Sequence, residues 1–235
     1  MIRGAVFDFD YTLYDRDESD RIAMAHFCRE HRDMIAPDIS PEAAQAAFVE
    51  AEHRHNYDGW KRMCEYLTET GVFAQMPDWR MICGYWQGKI TEYGAKYPFT
   101  MPVLEELRQR GLKLGLITNG QWEYHTGKVK GLGLWDEFDC VLVGCDPATA
   151  KPHPDLFLEM ARRLGCQCGE LIYAGDHPVN DVDAARRAGY VSVWVRTLGD
   201  WRYPEAPRAP YEIDTVAEIP AVIDAINGKS REERA

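Results

Sequence analysis

Residues 2–13 read Ile2-Arg3-Gly4-Ala5-Val6-Phe7-Asp8-Phe9-Asp10-Tyr11-Thr12-Leu13, a short apolar run that ends on two carboxylates. The run over 2–7 suits a strand buried on both faces of a parallel sheet, where apolar residues need not alternate with polar ones. Asp8 and Asp10 then lie two apart on extended chain, so both side chains point the same way and can address one reacting centre. Four more apolar runs follow, at 113–117, 140–143, 171–174 and 191–195. Helical patterns lie between them at 102–110, 154–164 and 179–188, closed by Gly111, Gly165 and Gly189. Repeated strand, helix, strand order predicts a doubly wound, Rossmann-like α/β core with a parallel sheet. Residues 211–213 are expected as a short edge strand and 216–226 as the last helix.

Between 14 and 97 the pattern changes, because no strand-like run occurs and several helical ones do. Ser40-Pro41-Glu42 is a helix start, with Ser as cap and Pro in the first turn. Trp60, Met63, Cys64 and Leu67 make an apolar stripe closed near Gly71, and 78–93 carries Trp79, Ile82, Trp86 and Ile90. The segment far exceeds ordinary connections of roughly 4–6 residues, so it reads as an inserted all-helical cap domain. The expected organisation is a core of 1–13 with 98–228, a cap over 14–97 and a polar tail over 229–235. Trp60, Trp79 and Trp86 are expected in the cap's core and His53, Arg54 and His55 on its solvated face. Tyr14, Asp15 and Arg16, at the hinge, are candidates to touch substrate.

Composition narrows the function classes. The 235 residues are 46% hydrophobic and 28% charged, which is a globular balance. With 27 Lys and Arg against 38 Asp and Glu, the net charge of −11 argues against binding nucleic acid or an anionic membrane. No apolar run approaches the ~18–20 residues of a membrane span, and no secretory leader pattern fits the start. Seven cysteines without regular spacing suit reduced thiols, and Cys166-Gln-Cys168 lacks the second pair a zinc site needs. The expectation is a cytoplasmic protein, monomer or homodimer.

In open α/β sheets ligands sit beyond the carboxyl ends of the strands. The residues there are Asp8 and Asp10 after the first run, Thr118, Asn119 and Gly120 after the second, Lys151 after the third, and Asp176 and Asp181 after the fourth. Crowded carboxylates repel unless a cation joins them or one stays protonated. Oxygen-only ligands favour a hard ion and suit Mg2+. With Asp10 neutral, three acids would balance a divalent ion and Lys151. A phosphate dianion could then be held by the ion, Lys151, the Thr118 hydroxyl and backbone N–H groups. Asp8 is expected to attack phosphorus, giving an aspartyl-phosphate, while Asp10 moves protons. A calcium loop fails, since it would need Gly at Leu13 and Glu at Ser19. Gly131-Leu132-Gly133 precedes a strand and has Asp136 where a dinucleotide motif needs Gly, and no Gly-x-Ser-x-Gly elbow occurs. His153 and His177 either line the site or cap loops.

Asp8-Phe9-Asp10-Tyr11-Thr12-Leu13, Leu116-Ile117-Thr118-Asn119-Gly120, Lys151-Pro152 and Gly175-Asp176 with Asn180-Asp181 together resemble the four ordered motifs of the haloacid dehalogenase-like hydrolase superfamily. The resemblance spans nearly the whole chain, with a helical cap after the first motif. It implies a nucleophile at Asp8, an acid/base at Asp10 and phosphate binding by Thr118 and Lys151. Magnesium would be held by Asp8, the Asp10 carbonyl and Asp176, with Asp181 positioning its waters. Tyr11 departs from the pattern, standing where many members have Gly. The implied activity is a phosphatase acting on a small phosphorylated metabolite, like phosphoglycolate phosphatases or nucleotidases. The alternatives are a 2-haloacid dehalogenase, a branch without the second acid, and a non-catalytic phosphometabolite-binding protein.

Overall fold

The structure is a computed structural model that describes residues 1–55 and 58–232. In chain order its regular elements are β1 (Gly4–Phe7), β2 (Tyr14–Asp15), α1 (Arg16–Glu30), α2 (Pro41–His55), α3 (Trp60–Glu69), α4 (Trp79–Tyr93) and β3 (Ala95–Lys96). Then come α5 (Thr100–Gln109), β4 (Lys113–Asn119), α6 (Trp122–Gly131), β5 (Cys140–Gly144), α7 (Asp155–Leu164), β6 (Leu171–Gly175), α8 (Ala184–Arg187), β7 (Val191–Val195), β8 (Tyr211–Ile213) and α9 (Ile219–Glu232). The chain forms two units, Met1–Asp15 with Lys96–Ala235, and Arg16–Ala95.

The first unit is a six-stranded sheet in the order β5-β4-β1-β6-β7-β8, every pairing parallel. All four residues of β1 are buried, as a central strand covered on both faces must be. From β1 the chain winds to β4 and β5 on one side, then to β6, β7 and β8 on the other. That reversal is the topological switch point, and it opens a crevice at the carboxyl end of β1. The Leu13 carbonyl accepts from Tyr97 N–H at 3.2 Å and from the Thr100 hydroxyl at 2.8 Å, which ties the start of α5 to the turn after β1. On one face α7 lays Phe157, Met160, Ala161 and Leu164 on the sheet. Phe157 meets the Tyr173 and Tyr190 rings edge-on, at 5.0 and 5.8 Å between centroids.

The second unit holds α1 to α4. Ser40 Oγ accepts from Ala43 N–H at 3.2 Å and Asp78 from Arg80 N–H at 3.0 Å, capping α2 and α4. Trp86 is wholly buried, stacked 4.0 Å from Phe48, and its indole donates to the buried Asp20 carboxylate at 3.0 Å. Trp60 and Trp79 are only half-buried, the latter under the Arg80 guanidinium at 4.4 Å, so of the three expected core tryptophans Trp86 alone is sealed. His53 and Arg54 are exposed and paired with Asp17 and Glu50, while Arg16 is ion-paired to the buried Glu52.

Two of the expected helices run differently. Residues 178–183 form a π-helical turn rather than the start of one regular helix, because the His177 carbonyl accepts from both Asp181 and Val182 N–H. The last helix runs on to Glu232 instead of stopping near Ile226, since Lys229, Arg231 and Glu232 are good helix formers although polar. The rest of the expected tail, residues 233–235, lies outside the described residues. Among the described residues no helix is long and apolar enough to cross a membrane.

Phe157→Ala removes a fully buried ring between α7 and the sheet and should lower unfolding free energy by about 3–5 kcal/mol, read from urea denaturation at unchanged m-value. A loss under about 1 kcal/mol would contradict the packing described.

Candidate active site

Asp8 follows β1 directly, its N–H bonded to the Ala174 carbonyl at 2.9 Å, so its side chain starts from the sheet's central rim. The chain then doubles back, with Leu13 and Tyr14 N–H both reaching the Phe9 carbonyl at 3.0 Å. Tyr11 sits in this turn with φ 61°, a left-handed conformation that costs a non-glycine residue roughly 1–2 kcal/mol. The turn thus has the shape that glycine at this position would favour. Tyr14, one of the hinge candidates, is wholly buried and stacked on Phe9.

Lys151 is the centre of the cluster. Its Nζ lies 2.6 Å from Asp8 Oδ1, 2.6 Å from Asp181 Oδ1, 3.0 Å from the Tyr173 hydroxyl and 3.1 Å from the Ile117 carbonyl. Tyr173 in turn donates to Asp181 Oδ1 at 3.0 Å. The lysine is only 7% exposed. Burial opposes its charge, but Asp181 and Asp8 outweigh this and hold its pKa well above the ordinary lysine value. Its main chain is fixed too, because Asn119 donates to the Lys151 carbonyl at 2.7 Å and accepts from its N–H at 3.0 Å. The Asn119 side-chain amide is therefore engaged in setting the lysine loop.

Asp8, Asp176 and Asp181 each offer a carboxylate oxygen, and the three lie within 4.8 Å of one another. Burial pushes the Asp8 carboxyl up to about 7, with Lys151 opposing and Asp181 assisting the rise. Burial and then Asp8 raise Asp176 well above the usual carboxylate range. Such a set, oxygen donors alone and costly to ionise unaided, fits a hard divalent cation. Gly175 makes the approach of Asp181 possible, since a Cβ there would fall 2.5 Å from the Asp181 carboxyl carbon. Asp181 Oδ2 also accepts from His177 N–H at 3.0 Å, and the Asp176 carbonyl accepts from the Trp194 indole at 2.8 Å.

Asp10 stands apart from this triad. Its Oδ1 is 2.6 Å from Lys128 Nζ and its Oδ2 is 3.9 Å from His125 Nδ1. Lys128 adds to the cluster a second ammonium, which the sequence-based charge balance did not include. Thr118, 1% exposed at the end of β4, bonds His125 Nδ1 at 2.9 Å through its hydroxyl. Gly120 has φ 148°, and a Cβ there would meet the His125 ring at 2.0 Å, so only glycine lets α6 begin here.

The rim thus gathers Asp8, Asp10, Thr118, Asn119, Gly120, Lys151, Asp176 and Asp181. Of the two histidines left open, His177 Nδ1 accepts from Val179 and Asn180 N–H and acts as a loop cap. His153 is exposed and paired with Asp155 at 3.2 Å. Lys128, His125 and Tyr173 were not identified from sequence. One signal was available for the first two: a histidine and a lysine at helical spacing with Val129 and Leu132, on what must be the buried face.

A family model described as haloacid dehalogenase-like hydrolase matches residues 5–195. The glyceraldehyde 3-phosphate phosphatase of Methanopyrus kandleri is 31% identical over 207 residues, covering 83% of this chain and 84% of its own. The phosphoglycolate phosphatase of Yersinia pseudotuberculosis is 27% identical over 230 residues, covering 96% and 93%. Among solved structures, the hydrolase YfnB of Bacillus subtilis, solved bound to magnesium, superposes with a TM-score of 0.76 at 18% identity, covering 94% of this chain and 98% of its own. That last likeness is one of fold.

Gly175→Ala should weaken divalent-cation binding by roughly 10–100-fold in calorimetric titration, through displacement of Asp181. Unchanged affinity would separate Asp181 from the cation site. A second test is pH-dependent. The stability Asp8 contributes without a cation is complete below its ordinary pKa of 3.8 and lost as pH rises through about 7. The Tm of EDTA-treated protein should therefore fall between about pH 4 and about pH 7, with a shallower slope in Asp8→Asn. Equal slopes in the two proteins would contradict the assignment.

Proposed function

The chain belongs to the haloacid dehalogenase-like hydrolase family, and from that membership and the geometry of its site we propose that it hydrolyses a small phosphomonoester through an aspartyl-phosphate on Asp8. One observation carries the reading: a buried ammonium 2.6 Å from each of two carboxylates whose oxygens, with those of Asp176, lie within 4.8 Å of one another. Asp8, Asp176 and Asp181, with the Asp10 carbonyl, would hold Mg2+, which when bound neutralises charge on the phosphoryl oxygens and favours the ionised form of Asp8.

In the first half-reaction an Asp8 carboxylate oxygen bonds to phosphorus as the ester P–O bond breaks, and Asp10 gives a proton to the departing alkoxide. In the second, water attacks the phosphoaspartate, Asp10 takes its proton, and inorganic phosphate leaves with Asp8 restored. Lys151 offsets the growing charge on the equatorial oxygens, and Thr118 with the N–H groups of the turn at Asn119 and Gly120 orients them. The Asp10 carboxylate at the rim supports a phosphatase over a dehalogenase, whose branch lacks that acid. A pure binder gains nothing from such a group. The similarity to phosphatases named for glyceraldehyde 3-phosphate and for phosphoglycolate supports a short phosphorylated carbon chain as substrate.

A panel of small phosphomonoesters with added Mg2+ should reveal turnover that EDTA abolishes. Asp8→Asn should lower it by at least ~10³-fold while the fold, read by circular dichroism, is kept. Turnover that survives either treatment, or ligand binding without hydrolysis across the panel, would overturn the proposal.

A further inference from the structure

Lys128 has no part in the reaction just described, yet it is one of the most deeply buried charges in the molecule. Its side chain is 3% exposed on α6, and its Nζ reaches Asp10 Oδ1 at 2.6 Å. Three aromatic rings surround the ammonium, with centroids at 4.9 Å for Tyr14, 5.0 Å for Tyr124 and 5.2 Å for Phe9. Phe9 and Tyr14 are themselves stacked, 5.2 Å apart and 16° from parallel, so two walls of this enclosure are rigid. A lysine rarely sits inside a protein unless paired, because desolvating its ammonium is costly. Ring faces and a carboxylate together offset that cost here.

The enclosure also has a directional effect. Asp10 turns about two soft torsions, and anchoring Oδ1 at a point fixed by three rings sets the plane of its carboxyl group. The same helix sends His125, three residues earlier, to the Thr118 hydroxyl at 2.9 Å. One face of α6 therefore braces two groups of the site, and it begins directly after the glycine turn that follows β4. The apolar burial along α6 and its cap comes from Val129 and Leu132, not from position 128.

We propose that Lys128 is a positioning residue that holds the Asp10 carboxyl in the orientation needed to pass a proton to the leaving oxygen. The inference rests on the phosphatase reading and adds to it a residue outside the four motifs. Its signature is dependence on the leaving group. A p-nitrophenolate leaves readily without a proton, whereas an alkoxide does not, so misplacing the acid penalises alkyl esters selectively.

The test is Lys128→Met, which keeps length and suits the aromatic walls, assayed with p-nitrophenyl phosphate and with the best alkyl phosphomonoester found in the panel. The expected result is a kcat loss of ~100-fold or more on the alkyl ester but ~10-fold or less on the aryl ester, with KM changed by under about threefold. Lys128→Arg should recover part of the alkyl rate, since it restores a donor and charge. Should the methionine variant fail to fold, Lys128→Gln reads the same ratio. Equal losses on both esters, an effect confined to KM, or unchanged rates would overturn this assignment while leaving the phosphatase intact. A wild-type protein inactive on every ester would instead remove the reading beneath it.

Discussion

A buried ammonium shared by two carboxylates is the constraint around which this site is arranged. Asp8 and Asp181 come from segments 173 positions apart in the chain, and the adjacent parallel strands β1 and β6 bring them to one rim. Removed from water, Asp8 is driven toward its neutral form, its carboxyl raised to about 7. Lys151 answers part of that cost, and Tyr173 supplies a hydroxyl that both accepts from the lysine and donates to Asp181. The residual negative charge then suits a small, hard, doubly charged cation, and through it an anion.

Much of this was legible because the fold places chemistry by a simple rule. Each of Asp8, Thr118, Lys151 and Asp176 lies at or after the end of an apolar run, and a parallel sheet sends all such ends the same way. What stayed hidden was masked by burial of polar side chains. The inner face of α6 carries His125, Thr126 and Lys128, so its apolar periodicity is too weak to announce a helix. In α1 the buried stripe includes Ser19 and Asp20, with the same result. Tyr173 reads as one more aromatic in a buried strand, and it is the fold that sets its hydroxyl between a lysine and an aspartate. The cost of these buried polar groups is met by partners distant in sequence, which periodicity cannot report.

Glycines contribute by what they leave out. At Gly175 the missing Cβ is the space into which Asp181 packs, and at Gly120 it is the space taken by His125. Tyr11 is the counter-example, a bulky residue in the left-handed region, held there by burial of its ring and by the backbone bonds of the turn. Backbone shape in this rim is thus kept by two means: absence of a side chain where neighbours crowd, and tertiary packing where they do not.

The reciprocal clamp between Asn119 and the Lys151 backbone has an evolutionary corollary. Because the lysine is tethered to the neighbouring strand's end as well as through its own ammonium, its place does not depend on the path the chain takes to reach it. Residues 145–148, on the way, are exposed. That stretch tolerates change wherever the turn on Asp146, whose carbonyl accepts from Thr149 and Ala150 N–H, is kept, while the charge it delivers to the rim stays where it is.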